Sequence, residues 1–156
     1  MDVTENFVII PFEKGLKSHF KSLNEEWLER YFVVEPYDAK LLENCEEEII
    51  NNGGCIFFGC VGGLILGTYA LLPKKKDIVE LGKMAISSKY QGKGYGQQLL
   101  QHAIETAKQN GFSQMILYSN RTLENSIYLY RKFGFVEEPI VESPYERGNI
   151  KMRLHL

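Results

Sequence analysis

The chain has 156 residues, 44% of them apolar and 24% charged, with a formal net charge of -2 at pH 7. That length supports one folded domain with a substantial core, and the apolar content excludes global disorder. The near-neutral balance excludes a protein that coats nucleic acid through an overall basic surface.

In chain order, Phe7 to Pro11 reads as a short first strand, and Leu16, Phe20, Leu23, Trp27 and Tyr31 recur at nearly helical spacing. Glu35-Pro36 interrupts that helix. Asp38 is placed to cap a second one carrying Leu41, Leu42, Cys45 and Ile49, which stops at Asn51-Asn52-Gly53-Gly54. Gly53 to Pro73 has no charged residue and is long enough to imitate a membrane span. Its six glycines argue instead for two strands, Cys55 to Cys60 and Leu64 to Leu72, joined by a turn at Gly62-Gly63. Cys45, Cys55 and Cys60 are odd in number, form no CxxC pair and lack clustered histidines, so no metal is expected. Reduced thiols in a cytoplasmic protein fit that usage, and the acidic N-terminus lacks the pattern of a signal peptide.

Pro73-Lys74-Lys75-Lys76-Asp77 makes a polar turn into a strand containing Val79, Glu80, Leu81, Met84 and Ile86. After a glycine-rich run, Leu99, Leu100, Ala103, Ile104 and Ala107 mark a helix that ends at Asn110-Gly111. Met115 to Ser119 is another short strand. Leu123, Ile127 and Tyr130 share a helical face stopped by Gly134, and Phe135 to Val141 returns as a strand. Ile150, Met152 and Leu154 alternate with Lys151, Arg153 and His155, the pattern of a half-buried strand. The sum is a mixed α/β domain over residues 1–156, with no internal repeat or linker.

The run Lys89-Tyr90-Gln91-Gly92-Lys93-Gly94-Tyr95-Gly96-Gln97 sits between a strand and a helix. The first N–H groups of a helix lack intrahelical partners, and its dipole places partial positive charge there, so the junction suits an anion. Glycines 92, 94 and 96 leave no side chain between those donors and a ligand. Gln97 replaces the last glycine of G-x-G-x-x-G and no G-K-[ST] follows, which disfavours a dinucleotide fold or an NTPase. Residues 61–156 carry thirteen Lys/Arg against eight Asp/Glu, while residues 1–60 carry five against twelve, so the later part is the better host for an anionic ligand.

Gln91-Gly92-Lys93-Gly94-Tyr95-Gly96, followed by Leu129-Tyr130-Arg131-Lys132-Phe133-Gly134-Phe135, resembles the GNAT acetyltransferases. Gln91, Gly94 and Gly96 match the family's Gln/Arg-x-x-Gly-x-Gly/Ala signature, and Leu129 to Phe135 matches its Leu-Tyr-x-x-x-Gly-Phe motif. The resemblance implies a mixed, mainly antiparallel central sheet flanked by helices. It also implies transfer of an acetyl group from acetyl-CoA directly to a primary amine, on a small molecule or a protein, without a covalent enzyme intermediate. By the same resemblance Gln91, Gly92, Lys93, Gly94, Tyr95, Gly96 and Gln97 bind the cofactor's pyrophosphate, and Met84, Ala85 and Ile86 offer backbone groups to its pantetheine arm.

The resemblance further gives Glu80 as the base that takes the amine proton, with Glu25, Glu26 and Glu35 as substitutes, and Tyr130 as the acid toward the departing CoA thiolate. An amine near the lysine reference pKa is mostly protonated at pH 7, so it must lose a proton before attack. Many family members carry Asn seven residues before that tyrosine, where this chain has Leu123; Asn120 is the preferred replacement as a CoA contact and Asn125 the alternative. An amine pocket is open to two segments, Tyr31, Phe32, Glu35 and Tyr37, or Tyr145-Glu146-Arg147. The implied partners are acetyl-CoA and an amine, with a homodimer left open and no nucleic acid or membrane. The competing reading is an acyl-CoA sensor or interaction module on the same fold, without turnover.

Overall fold

The first apolar segment forms β1 (Phe7–Pro11) at one edge of the sheet in the computed structural model, which describes residues 6–156. The acidic start of the chain lies outside those residues. Apolar side chains three and four apart then wind α1 (Lys17–Tyr31), which buries Phe20, Leu23 and Leu28. The next helix, α2 (Pro36–Glu43), starts one turn earlier than the Asp38 cap implied. Glu35 is its N-cap, Pro36 fits the first helical position, and Asp38 accepts a 2.9 Å hydrogen bond from the Glu35 N–H. The helix breaks at Asn44, so Cys45 belongs to a separate short turn, α3 (Cys45–Glu48).

The uncharged stretch is an antiparallel hairpin of β2 (Cys55–Val61) and β3 (Leu64–Pro73). Gly62 and Gly63, at φ 55° and 81°, take the left-handed conformations that a two-residue hairpin turn requires. No helix of the described residues is long and apolar enough to cross a membrane. The second half continues through β4 (Ile78–Ile86), α4 (Tyr95–Gln109), β5 (Gln114–Ser119), α5 (Glu124–Lys132), β6 (Val136–Glu138) and β7 (Ile150–His155). The strand expected from Phe135 to Val141 is cut to three residues, because Pro139 has no N–H to extend the ladder.

The sheet runs β1-β2-β3-β4-β5-β7-β6 and is antiparallel everywhere except between β4 and β5. On one face Tyr69, Leu71, Val79 and Leu81 pack with Leu99, Leu100 and Ala103 of α4. On the other, Ile56, Phe58, Ala70 and Leu72 pack with Phe20 and Leu28 of α1 and Leu41 and Leu42 of α2. Each fully buried Leu, Ile, Val or Phe among them contributes about 1.5–3 kcal/mol by leaving water. Cys45 and Cys60 are buried in this second core and Cys55 is half-buried; all three are free thiols.

Two irregularities in β4 open the sheet. Thr68 pairs with Ala85 while Ala70 pairs with Gly82, so Lys83 and Met84 together oppose Tyr69 in a bulge. The β4–β5 ladder runs only from Ile78–Gln114 to Glu80–Ile116. Beyond that pair the two strands part, and a cleft opens between them.

Candidate active site

The cleft encloses about 600 Å³ and is lined by the second half of β4, the glycine loop, the end of β5, the inner face of α5, the end of α1 and the loop between β6 and β7. It brings together Glu80, Met84, Ala85, Ile86, Gln91, Gly92, Gly94, Tyr95, Gly96, Asn120 and Tyr130. Lys93 and Gln97 are exposed and do not line it; the Lys93 ammonium sits 5.8 Å from the centre of the Tyr90 ring.

At one end the loop offers backbone. Gly92 and Gly94 stand at φ 79° and 82°, the left-handed region, and Gly94 is the N-cap of α4. The N–H groups from Gln91 to Gln97 donate to nothing among the described residues; Gln98, bonded to Gly94 O at 3.2 Å, is the first to find a partner. Nothing lies within 4 Å of a Cβ built on Gly92, Gly94 or Gly96, so the donors face open space. Unpaired N–H groups on a helix dipole fit a pyrophosphate. The Gln91 side chain does other work: its amide donates to Ile86 O at 3.3 Å and its carbonyl accepts from the Tyr31 hydroxyl at 3.2 Å, tying α1 to the loop.

In the middle lie the two expected proton-transfer groups. Glu80 is 1% exposed. Its Oε1 lies 3.2 Å from Lys74 Nζ, yet no well-directed hydrogen bond reaches that buried oxygen. Burial pushes the Glu80 carboxyl above its ordinary range, against the opposing pull of Lys74. Tyr130 is half-buried with its ring edge-on to Phe135 at 5.8 Å, and burial pushes its phenol up to about 12. At neutral pH it therefore carries its proton.

Asn120 is spent on structure: Nδ2 donates to Arg147 O at 2.7 Å, and Oδ1 accepts from the N–H and hydroxyl of Thr122 at 2.9 and 2.6 Å. Asn125, on the first turn of α5, lines the cleft. The substitute carboxylates are also placed elsewhere. Glu26 accepts the Ser88 N–H at 2.8 Å; Glu35 accepts the N–H groups of Glu146 and Arg147 and the Arg147 guanidinium; Glu25 does not line the cleft.

The far end is built from side chains. Asp38, fully buried, receives Nη1 and Nη2 of Arg147 at 2.6 and 2.8 Å and the ammonium of Lys83. Burial pushes the Asp38 carboxyl up, but the bonds from Arg147 and Lys83 outweigh it and hold it below its ordinary range. Tyr145 packs against Tyr37 at 5.4 Å and under the cations of Arg147 and Lys83, 4.4 and 4.5 Å from its ring centre. The two segments named for an amine pocket thus meet, with Tyr31, Phe32, Tyr145 and Arg147 on the cleft and Tyr37 behind it. Lys83, which nothing in the sequence reading singled out, joins them. Its one sequence signal is a second charge, beside Glu80, in a mostly apolar strand.

The sequence profile described as the acetyltransferase (GNAT) family matches residues 20–135. The uncharacterized N-acetyltransferase YvbK of Bacillus subtilis is 31% identical over 105 residues, 65% of this chain and 67% of that protein. Among solved structures, an acetyltransferase of the GNAT family from Staphylococcus aureus Mu50 superposes with a TM-score of 0.85 at 21% identity, covering 96% of this chain and 99% of that one. A Bacillus subtilis acetyltransferase in complex with CoA superposes with a TM-score of 0.75 at 21% identity, covering 97% and 99%. The profile match over most of the chain and the shared fold agree with the loop, the cleft and the Leu129-to-Phe135 turn: this chain belongs to the GNAT acetyltransferase family.

Proposed function

We propose that the chain transfers an acetyl group from acetyl-CoA to a primary amine by direct attack within a ternary complex. The observation that carries this reading is one cleft lined by unpaired backbone donors, a buried carboxylate whose pKa burial raises and a protonated phenol. The N–H groups of residues 91–97 hold the pyrophosphate, and Met84, Ala85 and Ile86, where β4 has lost its β5 partner, present main-chain groups to an amide-containing arm. Bound there, acetyl-CoA supplies an acyl carbon activated as a thioester.

Glu80 accepts a proton from the incoming ammonium, its raised pKa bringing it nearer to that of the acid it must deprotonate. The freed nitrogen lone pair forms the C–N bond as the C–S bond breaks. Tyr130 gives its phenolic proton to the departing sulfur, the acylated nitrogen sheds its second proton to solvent, from which Tyr130 is reprotonated, and Glu80 releases the first, so that amide, CoA thiol and one free proton result.

The test has two stages. Calorimetry with CoA and with acetyl-CoA should show binding to both; absence of binding removes the donor site. A screen of small amines and peptides, read by thiol release and product mass, should then find turnover. Binding without transfer to any amine favours the sensor reading. With an accepted amine, Glu80→Gln should lose the gain in rate that wild type shows as pH rises, and a preserved gain assigns the base elsewhere.

A further inference from the structure

Lys83 has no part in that mechanism, yet it is held in the cleft by both its backbone and its side chain. Its backbone stands at φ 53° inside β4, a conformation glycine adopts freely and residues with a Cβ seldom hold. Its side chain is buried, and the ammonium reaches three groups: Asp38 of α2, the Tyr145 hydroxyl at 3.3 Å and the face of the Tyr145 ring. These partners lie 45 residues before it and 62 residues after it in the chain. A strained backbone that places a buried charge persists only where the surroundings hold it, and such outliers gather at binding sites.

We propose that Lys83 is a positioning residue of the acceptor site: from the β4 bulge its ammonium joins Asp38 to Tyr145, fixes the loop between β6 and β7 as a wall of the cleft, and sets the charge seen by Glu80. The last clause rests on the reading of Glu80 as the base. The wall has a second fastening, because Glu35 accepts the Glu146 and Arg147 N–H groups and Arg147 also grips Asp38. Lys83 is the only part of this network carried by the sheet, so it ties the wall to the strand that bears Glu80.

The groups that bear on Glu80 are Lys74, Lys83 and Lys151, which favour its ionised form, with Tyr37 and Tyr145 beside it. Those that bear on Lys83 are Asp38, Arg147, Glu80 and Tyr145. Desolvation disfavours the Lys83 cation, and Asp38 opposes that penalty. Without Lys83, Asp38 keeps Arg147 as its one cation, beside the Glu35 N–H, the Tyr145 hydroxyl loses its neighbour, and Glu80 loses one of its three cations. The Glu80 carboxyl should then titrate at higher pH.

Three variants separate this role from general support: Lys83→Met removes the charge, Lys83→Arg keeps it, and Lys83→Gly removes it while relieving the backbone. Amide hydrogen exchange and carbon-13 titration of the Glu80 carboxyl are measured without any acceptor, and calorimetry with acetyl-CoA checks the donor end. In Lys83→Met the Glu146 and Arg147 amides should exchange at least about tenfold faster while core amides such as Leu100 do not, the scale expected when a charge-assisted fastening is lost. The Glu80 midpoint should rise, Lys83→Arg should restore both readouts, and Lys83→Gly should behave as Lys83→Met. Wild-type exchange in Lys83→Gly, an unmoved Glu80 midpoint in Lys83→Met, or a uniform rise in exchange across the core would each overturn the proposal. Because no readout requires turnover, a failure of Glu80 as base would show separately, in the rate profile of Glu80→Gln.

Discussion

The two ends of the cleft are made of different material. The glycine end is backbone from one stretch, residues 91–97, open to solvent and with its donors unpaired. The far end is side chains from α2, β4 and the loop between β6 and β7, buried and bonded to one another, with bonds that span up to 112 residues of chain. A local backbone site fails only where a substitution blocks its donors. A buried ionic network fails as a unit, because each charge removed leaves another uncompensated.

The sharpest way to expose that difference is Arg147→Met. It strips the guanidinium from Asp38 and Glu35, leaving Asp38 with Lys83 as its one cation, beside the Glu35 N–H. Breaking a buried ionic network by removing one partner costs about 3 kcal/mol, read as a lowered urea midpoint. The folded fraction should still bind acetyl-CoA with wild-type affinity. A loss below about 1 kcal/mol is the range of an exposed ion pair, and would place the two ends in the same class.

Tyr130→Phe should act between the ends, where chemistry and not assembly is at stake. Loss of the general acid predicts a fall in turnover on the order of 10², with acetyl-CoA affinity and stability unchanged. Turnover near wild type would make Tyr130 a packing residue against Phe135 and move the proton to another donor.

The same contrast explains what the sequence made legible. The glycine loop, the Leu129-to-Phe135 turn and the hairpin at Gly62-Gly63 are local patterns, and the structure holds them where the patterns imply. Asp38 looked like an N-cap because short acidic residues cap helices. Its burial against Arg147 and Lys83 has no local signature. Glu80 and Lys83, three positions apart in a regular strand, would point to opposite faces. The bulge at Lys83 and Met84 adds one residue and lets both line the same cleft, a reset that alternation alone does not announce. Asn120, legible as a polar residue at a strand exit, is tied to Arg147 and Thr122, partners settled by the loop fold. The strand expected to run to Val141 passed over Pro139, which has no N–H for the ladder, and β6 ends before it.

Gly94→Asp probes the backbone end alone. Nothing lies within 4 Å of the new Cβ, and aspartate tolerates the left-handed conformation better than most residues, so the fold should stand. The added negative charge at the N-cap opposes an anionic ligand, and acetyl-CoA affinity should fall by about tenfold. Exchange at Glu146 and Arg147 should not change. Unaltered affinity in the folded variant would remove the loop from the donor site.

The smallest expected effect is on stability against pH, where Asp38 at the far end and Glu80 in the middle of the cleft form an opposed pair. The Asp38 carboxyl lies below its ordinary value of 3.8, so its contribution is present above that value and lost as pH falls through the folded midpoint. The Glu80 carboxyl lies above its ordinary value of 4.5, because burial outweighs the pull of Lys74 and the other cations. The sign is therefore reversed: the folded state binds the Glu80 proton more tightly, and that advantage is present below 4.5 and lost as pH rises through the folded midpoint. Glu80→Gln removes the loss. Its thermal midpoint should gain on wild type as pH climbs from 4.5 through the folded midpoint of Glu80 and then hold a constant lead, while below 4.5 the two curves run parallel. Parallel curves across the whole range would mean that Lys74 neutralises Glu80 completely, and that the carboxylate rests in its pocket at no cost in stability.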